Sequence, residues 1–389
     1  MAETADIVVI GLGAIGSAVL HRLALAGVRA VGIDRFHPPH DRGSSHGESR
    51  ITRLAVGEGE TYAPLVRRSH AIWRELEAQT GEQLMLTTGG LVMGVRGGSA
   101  QHHGKDDFVD RTISVATSNG IPHEVLDAAA ITARFPQFGL RGDEWACYEP
   151  SAGLLFPERC IAAQLRLAEA AGAVLHRGET VGSLRAMPDG VEITTDRRVL
   201  HAGRAVMAAG PWVAGLAGGR VAKLVRVYRQ SLHWFMAATP DAYAPGRFPV
   251  FIWMHGGGEE DYMYGFPALP GAGTVKLASE RYAETVDPDR VERATGAESA
   301  AFFARHVAGR LHGVTSQAVR AAACLYTVTP DSGFIVDVLA GHPHVLVASA
   351  CSGHGFKHSA ALGELLAARA LDGAALPAPF SLVRYGATP

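Results

Sequence analysis

The N-terminal segment contains the pattern that most restricts how this chain can fold. Residues 6–10, DIVVI, are mostly β-branched, and the glycine-rich run GLGAIG follows directly at residues 11–16. An amphipathic stretch then runs to Gly27, and a second short apolar segment over residues 30–33 ends at Asp34. A strand, a glycine turn, a helix, a second strand and an acidic residue in this order predict a dinucleotide-binding βαβ unit.

Each glycine of this unit has its own expected role. Gly11 permits the tight turn, Gly13 lets the backbone approach a pyrophosphate, and Gly16 lets the helix pack on the strand. The N-terminus of the helix offers free N–H groups and partial positive charge to the phosphates. Asp34 follows at the distance at which a carboxylate accepts hydrogen bonds from both ribose hydroxyls. A carboxylate there repels a 2′-phosphate, so the pattern disfavours NADP, but it does not by itself separate FAD from NAD.

The segment after Asp34 indicates a larger cofactor. Residues 35–50 read RFHPPHDRGSSHGESR and show no apolar period. In nicotinamide-binding domains of this kind, the second strand normally gives way quickly to another helix. We therefore expect a polar loop that wraps around the cofactor, followed by a helix over about residues 61–79 that stops at Gly81.

Composition excludes several classes of function. Among 389 residues, Lys and Arg total 36 and Asp and Glu total 38, which gives a formal net charge of −2. This balance argues against nucleic acid or an anionic membrane surface as the main partner. The cysteines lie far apart and form no CxxC pair, so neither a disulfide framework nor a zinc site is expected. No targeting segment or membrane span is apparent, and we expect a cytoplasmic protein.

The rest of the chain alternates between two kinds of sequence pattern. Helices and buried strands similar to those of the first unit are expected around residues 159–210 and again from His344 to Leu371. Residues 225–277 are rich in aromatic residues and in strand-like runs separated by Gly and Pro, which predicts an antiparallel sheet forming one wall of a pocket. We therefore predict an α/β fold, with a Rossmann-like nucleotide-binding domain interleaved with an α+β substrate domain on a largely antiparallel sheet. The nucleotide-binding domain is expected to comprise residues 1–85, 148–220 and 330–389, and the substrate domain residues 86–147 and 221–329.

Adjacent histidines, His102 and His103, lie in a polar run over residues 97–105. The pair resembles metal ligands only superficially, because no cysteine or third imidazole accompanies it. We expect a polar loop and no metal site.

Short motifs extend over nearly the whole chain. They are GLGAIGSA (11–18), GSSHGESRITR (43–53), EPSAGLLFPERC (149–160), AAGPW (208–212), YGFP (264–267), VKLASE (275–280), ACLYT (323–327) and SGHGFKHS (352–359). Together and in this order they resemble the flavin-dependent amine oxidases of the monomeric sarcosine oxidase and N-methyltryptophan oxidase group. The resemblance implies that the cofactor is FAD rather than NAD.

The resemblance also implies which residues hold the cofactor. Cys324 matches the cysteine that bonds covalently to the flavin 8α carbon, whereas the residue by itself would be interpreted as a small buried thiol. Cys351 has no such match and is expected to pack in the core. Arg50 and His46 match a cation and an imidazole beside the isoalloxazine; the alternative for Arg50 is a loop arginine paired with Glu48. The other expected cofactor contacts are Gly11, Gly13, Gly16, Asp34, Ser44, Gly353, His354, Gly355 and Lys357.

Further residues match positions around the substrate. Arg53 and Lys357 resemble a pair of cations that hold the substrate carboxylate, and bidentate Arg–carboxylate geometry would fix the α-carbon over the flavin. Lys357 also begins a helix whose N-terminal dipole would face the flavin N1–C2 edge, where negative charge accumulates on reduction. Tyr264 and Tyr326 resemble aromatic residues that border the substrate, with ordinary core tyrosines as the alternative.

Lys276 lies in a strand-like run, where an inward lysine is costly unless it serves a purpose. The matching lysine of the family lies on the flavin face opposite the substrate and promotes reaction with O2; a snorkelling surface lysine is the alternative. Four residues later the chain departs from the family, because Glu280 stands where sarcosine- and N-methyltryptophan-oxidising members carry a histidine. Glu280 either points into the pocket, where it changes the local charge, or is a solvated acid at the end of a strand.

These features predict an FAD-dependent oxidase of secondary amines that bear a carboxylate, such as N-methyl amino acids, with FAD attached through Cys324. The reaction would give an imine that water hydrolyses to amine plus aldehyde, while O2 is reduced to H2O2. We expect a monomer whose partners are a small-molecule amine and O2. Two alternatives stay open. The same fold could oxidise a cyclic imino acid such as proline or pipecolate, or use another electron acceptor, or the protein could be a flavoprotein that binds without turnover.

Overall fold

The computed structural model describes residues 3–98, 101–258 and 260–386. Within these ranges the chain forms a mixed α/β fold whose strands belong to three sheets. The strands are β1 (Glu3–Ile10), β2 (Ala30–Asp34), β3 (Arg50–Thr52), β4 (Met85–Thr87), β5 (Gly90–Val95), β6 (Glu124–Asp127), β7 (Glu144–Glu149), β8 (Gly153–Leu155), β9 (Val174–Arg177), β10 (Val181–Met187), β11 (Gly190–Thr195), β12 (Val199–Met207), β13 (Arg226–Ala237), β14 (Val250–Met254), β15 (Tyr262–Gly265), β16 (Thr274–Ala278), β17 (Val314–Val328), β18 (Ile335–Val338) and β19 (Val345–Ser349). The α-helices are α1 (Ala14–Leu25), α2 (Ala63–Thr80), α3 (Phe108–Ser118), α4 (Ala128–Arg134), α5 (Pro157–Ala170), α6 (Val213–Ala217), α7 (Gly219–Leu224), α8 (Gly296–Phe302) and α9 (Ser359–Asp372).

The first sheet contains the predicted nucleotide-binding unit. Its strand order is β10-β11-β12-β1-β2-β9, and β19 pairs with both β12 and β18. Strand β1 runs parallel to both β2 and β12, and β19 runs parallel to β12. Every residue of β2 and of β19 is buried, as expected for parallel strands that are covered on both faces. The predicted strand–turn–helix–strand order over the first part of the chain is therefore confirmed.

Helices cover this sheet and contact one another closely. Helix α1 packs against both α5 and α9. The approach of α9 depends on Gly363, because an added Cβ would lie only 2.3 Å from the Cβ of Ala18. The predicted apolar face of the helix around residues 159–172 is confirmed, since Ile161 and Leu165 are buried in α5.

The second sheet is the predicted antiparallel sheet, and it extends further along the chain than expected. Its order is β17-β13-β16-β15-β14-β5-β7-β6. Among the described strands of this second sheet, β14 and β5 are the neighbours that run parallel. Long strands β13 and β17 lie side by side and place Cys324 opposite Gln230. On the other edge of β13, Lys276 of β16 lies opposite Trp234. The sheet therefore places the covalent-link candidate and the buried lysine on the two strands that flank β13.

The third sheet is small and has three strands. Its order is β3-β8-β4. Arg50 begins β3 and lies opposite Leu155 of β8. Because β3 directly follows the polar loop after β2, this sheet fixes the end of that loop.

Two helix starts differ from the sequence prediction. Residues Glu60–Tyr62 form a 3₁₀ turn, so α2 begins at Ala63, and Gly81 ends the helix with φ of +73° as predicted. The helix expected from Lys357 begins with a 3₁₀ turn over Phe356–His358, and regular α-helix starts only afterwards. The N–H of His358 donates to the carbonyl of Gly355 at 3.0 Å, which is the i to i−3 bond of a 3₁₀ turn.

The first sheet takes its strands from separated stretches of the chain, and the second sheet takes strands from the stretches between them. This interleaving is the basis on which we propose the division into two domains with the boundaries given above. Within the described ranges, no helix is both long enough and apolar enough to cross a membrane.

Candidate active site

A cavity of about 330 Å³ lies where the carboxyl end of β1 meets the start of α1. The loop after β2, the end of β12 and the turn before α9 complete its wall. Eight of the residues expected to contact a cofactor or substrate line it: Gly11, Gly13, Asp34, Ser44, Arg50, Tyr326, Gly353 and Gly355. The cavity thus lies at the carboxyl ends of parallel strands, where open α/β sheets bind their ligands.

The glycines of the first turn differ in the way their spacing predicts. Gly11 has φ of +86°, and an added Cβ would lie 2.6 Å from the carbonyl oxygen of Ala208. An added Cβ at Gly13 would meet no atom within 4 Å, so the backbone there is open to the cavity. An added Cβ at Gly16 would lie 1.7 Å from the carbonyl oxygen of Gly11, so only glycine lets α1 approach the turn.

Asp34 ends β2, where the sequence pattern predicts the acid. Its Oδ2 accepts a hydrogen bond from the N–H of Leu12 at 2.7 Å, and Oδ1 accepts one from the N–H of Phe36 at 2.8 Å. These bonds fix the carboxylate at the cavity wall. Each oxygen keeps a further lone pair for a hydroxyl, and the expected contact with a ribose stays a prediction.

The loop over residues 43–50 is fixed by an acid from another element. Glu158, in the first turn of α5, accepts hydrogen bonds from the N–H groups of Gly47 at 2.6 Å and Glu48 at 3.1 Å. The hydroxyl of Ser44 is buried and has no hydrogen-bond partner among the described residues. A buried hydroxyl on a cavity wall normally has a polar partner, so Ser44 indicates a polar ligand.

Arg50 lies between this loop and β17. Its Nη2 donates to the carbonyl of Ser44 at 2.7 Å and lies 3.4 Å from Sγ of Cys324. The alternative pairing of Arg50 with Glu48 is wrong, because Glu48 forms its ion pair with Arg320 instead. Arg50 is thus aimed at the cavity by a backbone carbonyl and by the strand that carries Cys324.

Three other expected residues lie at or near this wall. Cys324 is buried, and its Sγ lies 3.6 Å from the carbonyl oxygen of Ser44, a residue of the wall itself. Cys351 packs against the apolar cluster that contains Cys324 and Tyr326, and it also lines the cavity directly. His46 is buried, and burial together with Arg50 lowers the pKa of His46 to about 4, so its imidazole is neutral at pH 7.

Lys276 is buried, with 4% of its surface exposed, so the snorkelling alternative is wrong. Its Nζ donates to the carbonyls of Gly47 at 2.6 Å and Ser49 at 2.8 Å, and it lies 4.5 Å from the ring centre of Phe266. Burial lowers the pKa of Lys276 well below its usual value, and repulsion from Arg50 adds to this effect.

The turn before α9 brings two glycines, Gly353 and Gly355, to the cavity together with Cys351 and Phe356. Gly353 has φ of +80°, and an added Cβ at Gly355 would lie 1.7 Å from the carbonyl oxygen of Ala350. The ring of His354 faces away, because its Nε2 bonds the carbonyl of Ser332 at 3.0 Å. His354 is not among the residues that line the cavity, so its expected contact with the cofactor stays a prediction.

Arg53 and Lys357 meet around a buried carboxylate that the sequence motifs do not identify, Glu58. Arg53 Nη2 lies 2.8 Å from Glu58 Oε2, and Lys357 Nζ lies 3.1 Å from Glu58 Oε1. Burial opposes ionisation of Glu58, but the two cations outweigh it and hold the pKa of Glu58 well below its usual value. Burial lowers the pKa of Lys357 to about 8, although Glu58 partly offsets it. Two buried cations require a buried anion near them. The acidic run GEGE over residues 57–60 is the feature of the sequence from which Glu58 could have been identified.

A second motif acid positions the segment that carries Arg53. The carboxylate of Glu149 accepts hydrogen bonds from the N–H of Leu54 at 2.9 and 3.0 Å and from the N–H of Ala55 at 2.9 Å. The motif EPSAGLLFPERC therefore supplies two acids, Glu149 and Glu158, whose carboxylates hold the backbones of two different site loops. Neither role was identified from the sequence.

The tyrosines expected beside the substrate lie on neighbouring parts of the second sheet. The hydroxyl oxygens of Tyr264 on β15 and Tyr326 on β17 are 3.3 Å apart. Burial raises the pKa of both tyrosines above the usual value, so both are neutral. Tyr326 also lines the cavity, which places this pair at its edge.

Glu280 is buried, so the alternative of a solvated acid at the end of a strand is wrong. Its Oε1 lies 3.1 Å from Nε2 of His103, and its Oε2 accepts a hydrogen bond from the hydroxyl of Tyr282. His102 and His103 are likewise 3% and 7% exposed, and the expectation of a polar loop fails for these two side chains because Glu280 draws His103 inward. Residues 99 and 100 of that run lie outside the described ranges.

Comparison with known proteins agrees with this geometry. The model of the FAD dependent oxidoreductase family matches residues 6–369. The chain belongs to this family. It is 36% identical to the monomeric sarcosine oxidase of Streptomyces avermitilis, an alignment that covers 96% of this chain and 95% of that protein. It is 33% identical to the N-methyl-L-tryptophan oxidase of Salmonella arizonae, covering 94% of this chain and 95% of that protein.

Solved structures share the fold of this family member. NikD, titled an unusual amino acid oxidase essential for nikkomycin biosynthesis, superposes in its open form with a TM-score of 0.83 at 25% identity, covering 98% of both chains. The glycine oxidase of Geobacillus kaustophilus has a TM-score of 0.77 at 20% identity and covers 98% of this chain and 99% of its own. The predicted α/β fold and the amine-oxidising flavoenzyme family are thereby confirmed.

The residues of the cavity fit FAD, the cofactor of this family. The open backbone at Gly13 suits a pyrophosphate, and Asp34 lies at the end of β2 where a ribose is expected. The hydroxyls of Ser44 and Ser349 line the cavity, are buried and lack partners among the described residues. A polar cofactor would satisfy both hydroxyls.

Proposed function

We propose that this chain is an oxidase of N-methyl amino acids that binds the substrate carboxylate at Arg53 and Lys357. The names of its relatives denote oxidases of two N-methyl amino acids, sarcosine and N-methyl-L-tryptophan. The observation that carries the proposal is the buried group of Arg53, Lys357 and Glu58, in which two cations face one carboxylate. Its one excess positive charge matches a single substrate carboxylate, because a buried charge needs a partner.

The binding geometry determines where the substrate reacts. FAD, when bound, accepts two electrons and a hydrogen from the carbon next to the amine nitrogen and supplies the redox chemistry. Arg53 and Lys357 hold the carboxylate by charge-assisted hydrogen bonds, which fixes the amine nitrogen and its N-methyl carbon, the carbon that is oxidised, at the cavity edge. Tyr264 and Tyr326 border the bound molecule and exclude water from it. The imine product leaves and is hydrolysed to amine plus aldehyde.

A second part of the proposal concerns O2 as the electron acceptor. Lys276 donates its hydrogen bonds to backbone carbonyls rather than to a carboxylate among the described residues. Neither Lys276 nor Arg50 beside it is hydrogen-bonded to a carboxylate among the described residues, although Glu158 nearby offsets part of their charge. Negative charge that forms next to Lys276 favours its protonated form, which burial disfavours. Such cations stabilise the negative charge that develops as O2 takes up an electron. The neutral imidazole of His46 adds a polar group without further charge.

We also propose covalent attachment of FAD through Cys324. Its Sγ lies 3.6 Å from the carbonyl oxygen of the cavity-wall residue Ser44 and 3.4 Å from Nη2 of Arg50, so the sulfur lies directly beside two residues that line the cavity. We propose a monomeric, cytoplasmic enzyme. The four cysteines are all unpaired, as is typical of a reducing compartment, and the relatives include proteins called monomeric.

One experiment tests the main proposal. The holoenzyme is mixed anaerobically with sarcosine, N-methyl-L-tryptophan, L-proline or glycine, and the flavin absorbance is followed before and after air is admitted. We expect bleaching by an N-methyl amino acid, and H2O2 in an amount equal to the substrate consumed. The methyl ester of the same amino acid is the control and should not bleach the flavin, because it lacks the carboxylate. Bleaching by L-proline alone, or reoxidation without H2O2, would contradict the proposal.

A further inference from the structure

His103 is a charged group at the candidate site that no family motif includes. It has φ of +51°, in the left-handed region that non-glycine residues seldom adopt. The turn around it is closed by two backbone hydrogen bonds of 3.0 Å between His102 and Lys105. A strained backbone persists where the surrounding contacts determine it, and such residues concentrate at functional sites.

The imidazole of His103 bridges two buried carboxylates. Its Nε2 lies 3.1 Å from Oε1 of Glu280, and its Nδ1 lies 3.5 Å from Oε1 of Glu58. Burial alone would lower the pKa of His103, but Glu280 and Glu58 outweigh it and raise the pKa to about 9. Burial likewise opposes the charge on Glu280, and His103 outweighs it, so the pKa of Glu280 lies below its usual value. At pH 7 the pair is an imidazolium and a carboxylate.

This ion pair lies directly behind the cavity wall, next to Gly353 and Tyr326. A Cβ added to Gly353 would be 2.7 Å from Nε2 of His103, 3.0 Å from Oε1 of Glu280 and 3.1 Å from Cε2 of Tyr326. Gly353 and Tyr326 both line the cavity. On its other side, His103 faces the carboxylate that holds the two cations of the proposed substrate site. A substrate bound there lies next to the pair.

The other titratable groups around His103 come from several elements. His102 and His354 are neutral at pH 7, because burial lowers the pKa of His354 to about 3 and that of His102 well below its usual value. Burial raises the pKa of Tyr262, which faces Glu280 from β15, so it is neutral as well. The remaining charged groups that face the cluster are Arg53, Lys357, Glu58, Lys105 and Asp331.

We propose that His103 is a positioning residue that neutralises Glu280, so that the amine of the bound substrate reacts in its neutral form. The inference rests on the proposed function. Loss of hydrogen from the carbon next to nitrogen requires the nitrogen lone pair, which a protonated amine lacks. A carboxylate within about 4–6 Å raises the pKa of an amine by about 1–3 units when no cation compensates it.

Counting charges gives the direction of the effect. Arg53, Lys357 and His103 carry three positive charges against the two negative charges of Glu58 and Glu280. Removing the charge of His103 leaves the group without the excess positive charge that a substrate carboxylate needs. It also leaves Glu280 uncompensated, which stabilises the ammonium form of the substrate. Removing both charges restores the original balance.

The test is the pH dependence of anaerobic flavin reduction in the holoenzyme, measured with sarcosine or N-methyl-L-tryptophan. We expect His103→Gln to move the rising limb of the rate to higher pH by about one unit or more, so the rate at pH 7 falls about tenfold. The double variant His103→Gln with Glu280→Gln should return the limb to its wild-type position. Two substrates with different amine pKa values show which group sets the rising limb. A limb set by the substrate amine shifts in pH with the amine pKa of the substrate, whereas a limb set by Lys357 has the same position for both substrates.

Each remaining result has a defined meaning. His102→Gln is the matched control: it changes the neighbouring side chain of the same turn without removing a charge, and it should leave the limb in place. A double variant that stays shifted, or a single variant that loses rate without a shift, would show a merely structural role for His103 and overturn the inference. A ring nitrogen of His102, a ring nitrogen of His103 and a carboxylate oxygen of Glu280 lie within 4.8 Å of one another, close enough to share a metal ion. A stoichiometric metal ion bound there in the holoenzyme would also overturn the inference. If wild-type flavin is not reduced at all, the proposed function itself fails.

Discussion

Two groups of buried or half-buried cations flank the cavity, and their partners differ. The loop-side cations, Arg50 and Lys276, donate to backbone carbonyls of the loop over residues 43–50. The carboxylate-side cations, Arg53, Lys357 and His103, are paired with carboxylates. Backbone carbonyls orient a cation without cancelling its charge, whereas a carboxylate cancels it. The loop side thus keeps two cationic side chains that are not directly paired with a carboxylate and can respond to negative charge that appears during reaction, and the other side keeps one positive charge for one anion.

The largest expected effect concerns Cys324, which contacts the loop-side cation Arg50. In Cys324→Ser we expect complete loss of the covalent flavin link, since a hydroxyl beside Arg50 does not form the thioether. The measurement is acid precipitation, after which the flavin of the variant appears in the supernatant. Cys351→Ser is the matched control, because Cys351 lines the same cavity, and it should keep the flavin in the pellet. If flavin is released from the Cys351 variant and not from the Cys324 variant, the covalent link is at Cys351 and the prediction is wrong.

The second prediction concerns Lys276, whose ammonium group is hydrogen-bonded to backbone carbonyls and not to a carboxylate among the described residues. In Lys276→Met, reoxidation of the reduced flavin by O2 should slow about 100-fold or more, because a preorganised electrostatic contact is lost. Flavin reduction by substrate should change far less. Stopped-flow measurement of the two half-reactions separates them. If both half-reactions slow equally, Lys276 has no special role with O2 and the contrast between the two groups does not govern the reaction.

The carboxylate side should respond to pH through Lys357. Its pKa of about 8 means that the ammonium is present below pH 8 and lost above it. The Kd of a carboxylate ligand without an amine, such as methoxyacetate, should therefore rise about tenfold for each pH unit above 8. Fluorescence or absorbance titration of the bound flavin measures this Kd. In Lys357→Arg the Kd should stay flat up to about pH 9, where His103 begins to lose its charge, because a guanidinium keeps its proton. A parallel rise in that variant would assign the titration to another group.

The smallest effect tests how the loop side is held. In Glu158→Gln, the hydrogen bonds to Gly47 and Glu48 lose their charged acceptor, and the free energy of unfolding should fall by about 1–2 kcal/mol. Chemical denaturation measures the change. Glu75→Gln is the matched control, since Glu75 forms an exposed ion pair with Arg68, and it should change the free energy by less than about 1 kcal/mol. Equal losses in the two variants would mean that Glu158 does not hold the loop.

Much of the fold could be predicted from local pattern. The unit from β1 to β2 follows from a β-branched run, spaced glycines and a terminal acid, each of which acts over a few residues. The buried character of Lys276 was likewise visible, because a lysine inside an apolar strand has few structural explanations. Both predictions depend on neighbours in the chain, which a single sequence displays directly.

The carboxylate side could be predicted only in part. Arg53 and Lys357 were identified through family motifs, but their shared partner Glu58 and the His103–Glu280 pair were not. His103 and Glu280 come from a polar turn and a strand end that lie far apart in the sequence, and their contact arises only when the second sheet folds. The departure of Glu280 from the family pattern was visible, yet its compensating cation carries no local signal. Charge compensation between distant segments is therefore the part that required the structure.

The loop over residues 43–50 has a consequence for the order of folding. Its fixed contacts come from α5, β16 and β17, namely from Glu158, Lys276 and the N–H of Leu325, which donates to Gly43 at 3.3 Å. All of these partners lie more than a hundred residues away in the chain. Contacts of such long sequence separation form late, after the loop-closure entropy has been overcome. We expect the polypeptide to complete both large sheets before this loop takes its final conformation, so the capacity to retain the cofactor appears as one of the last events of maturation.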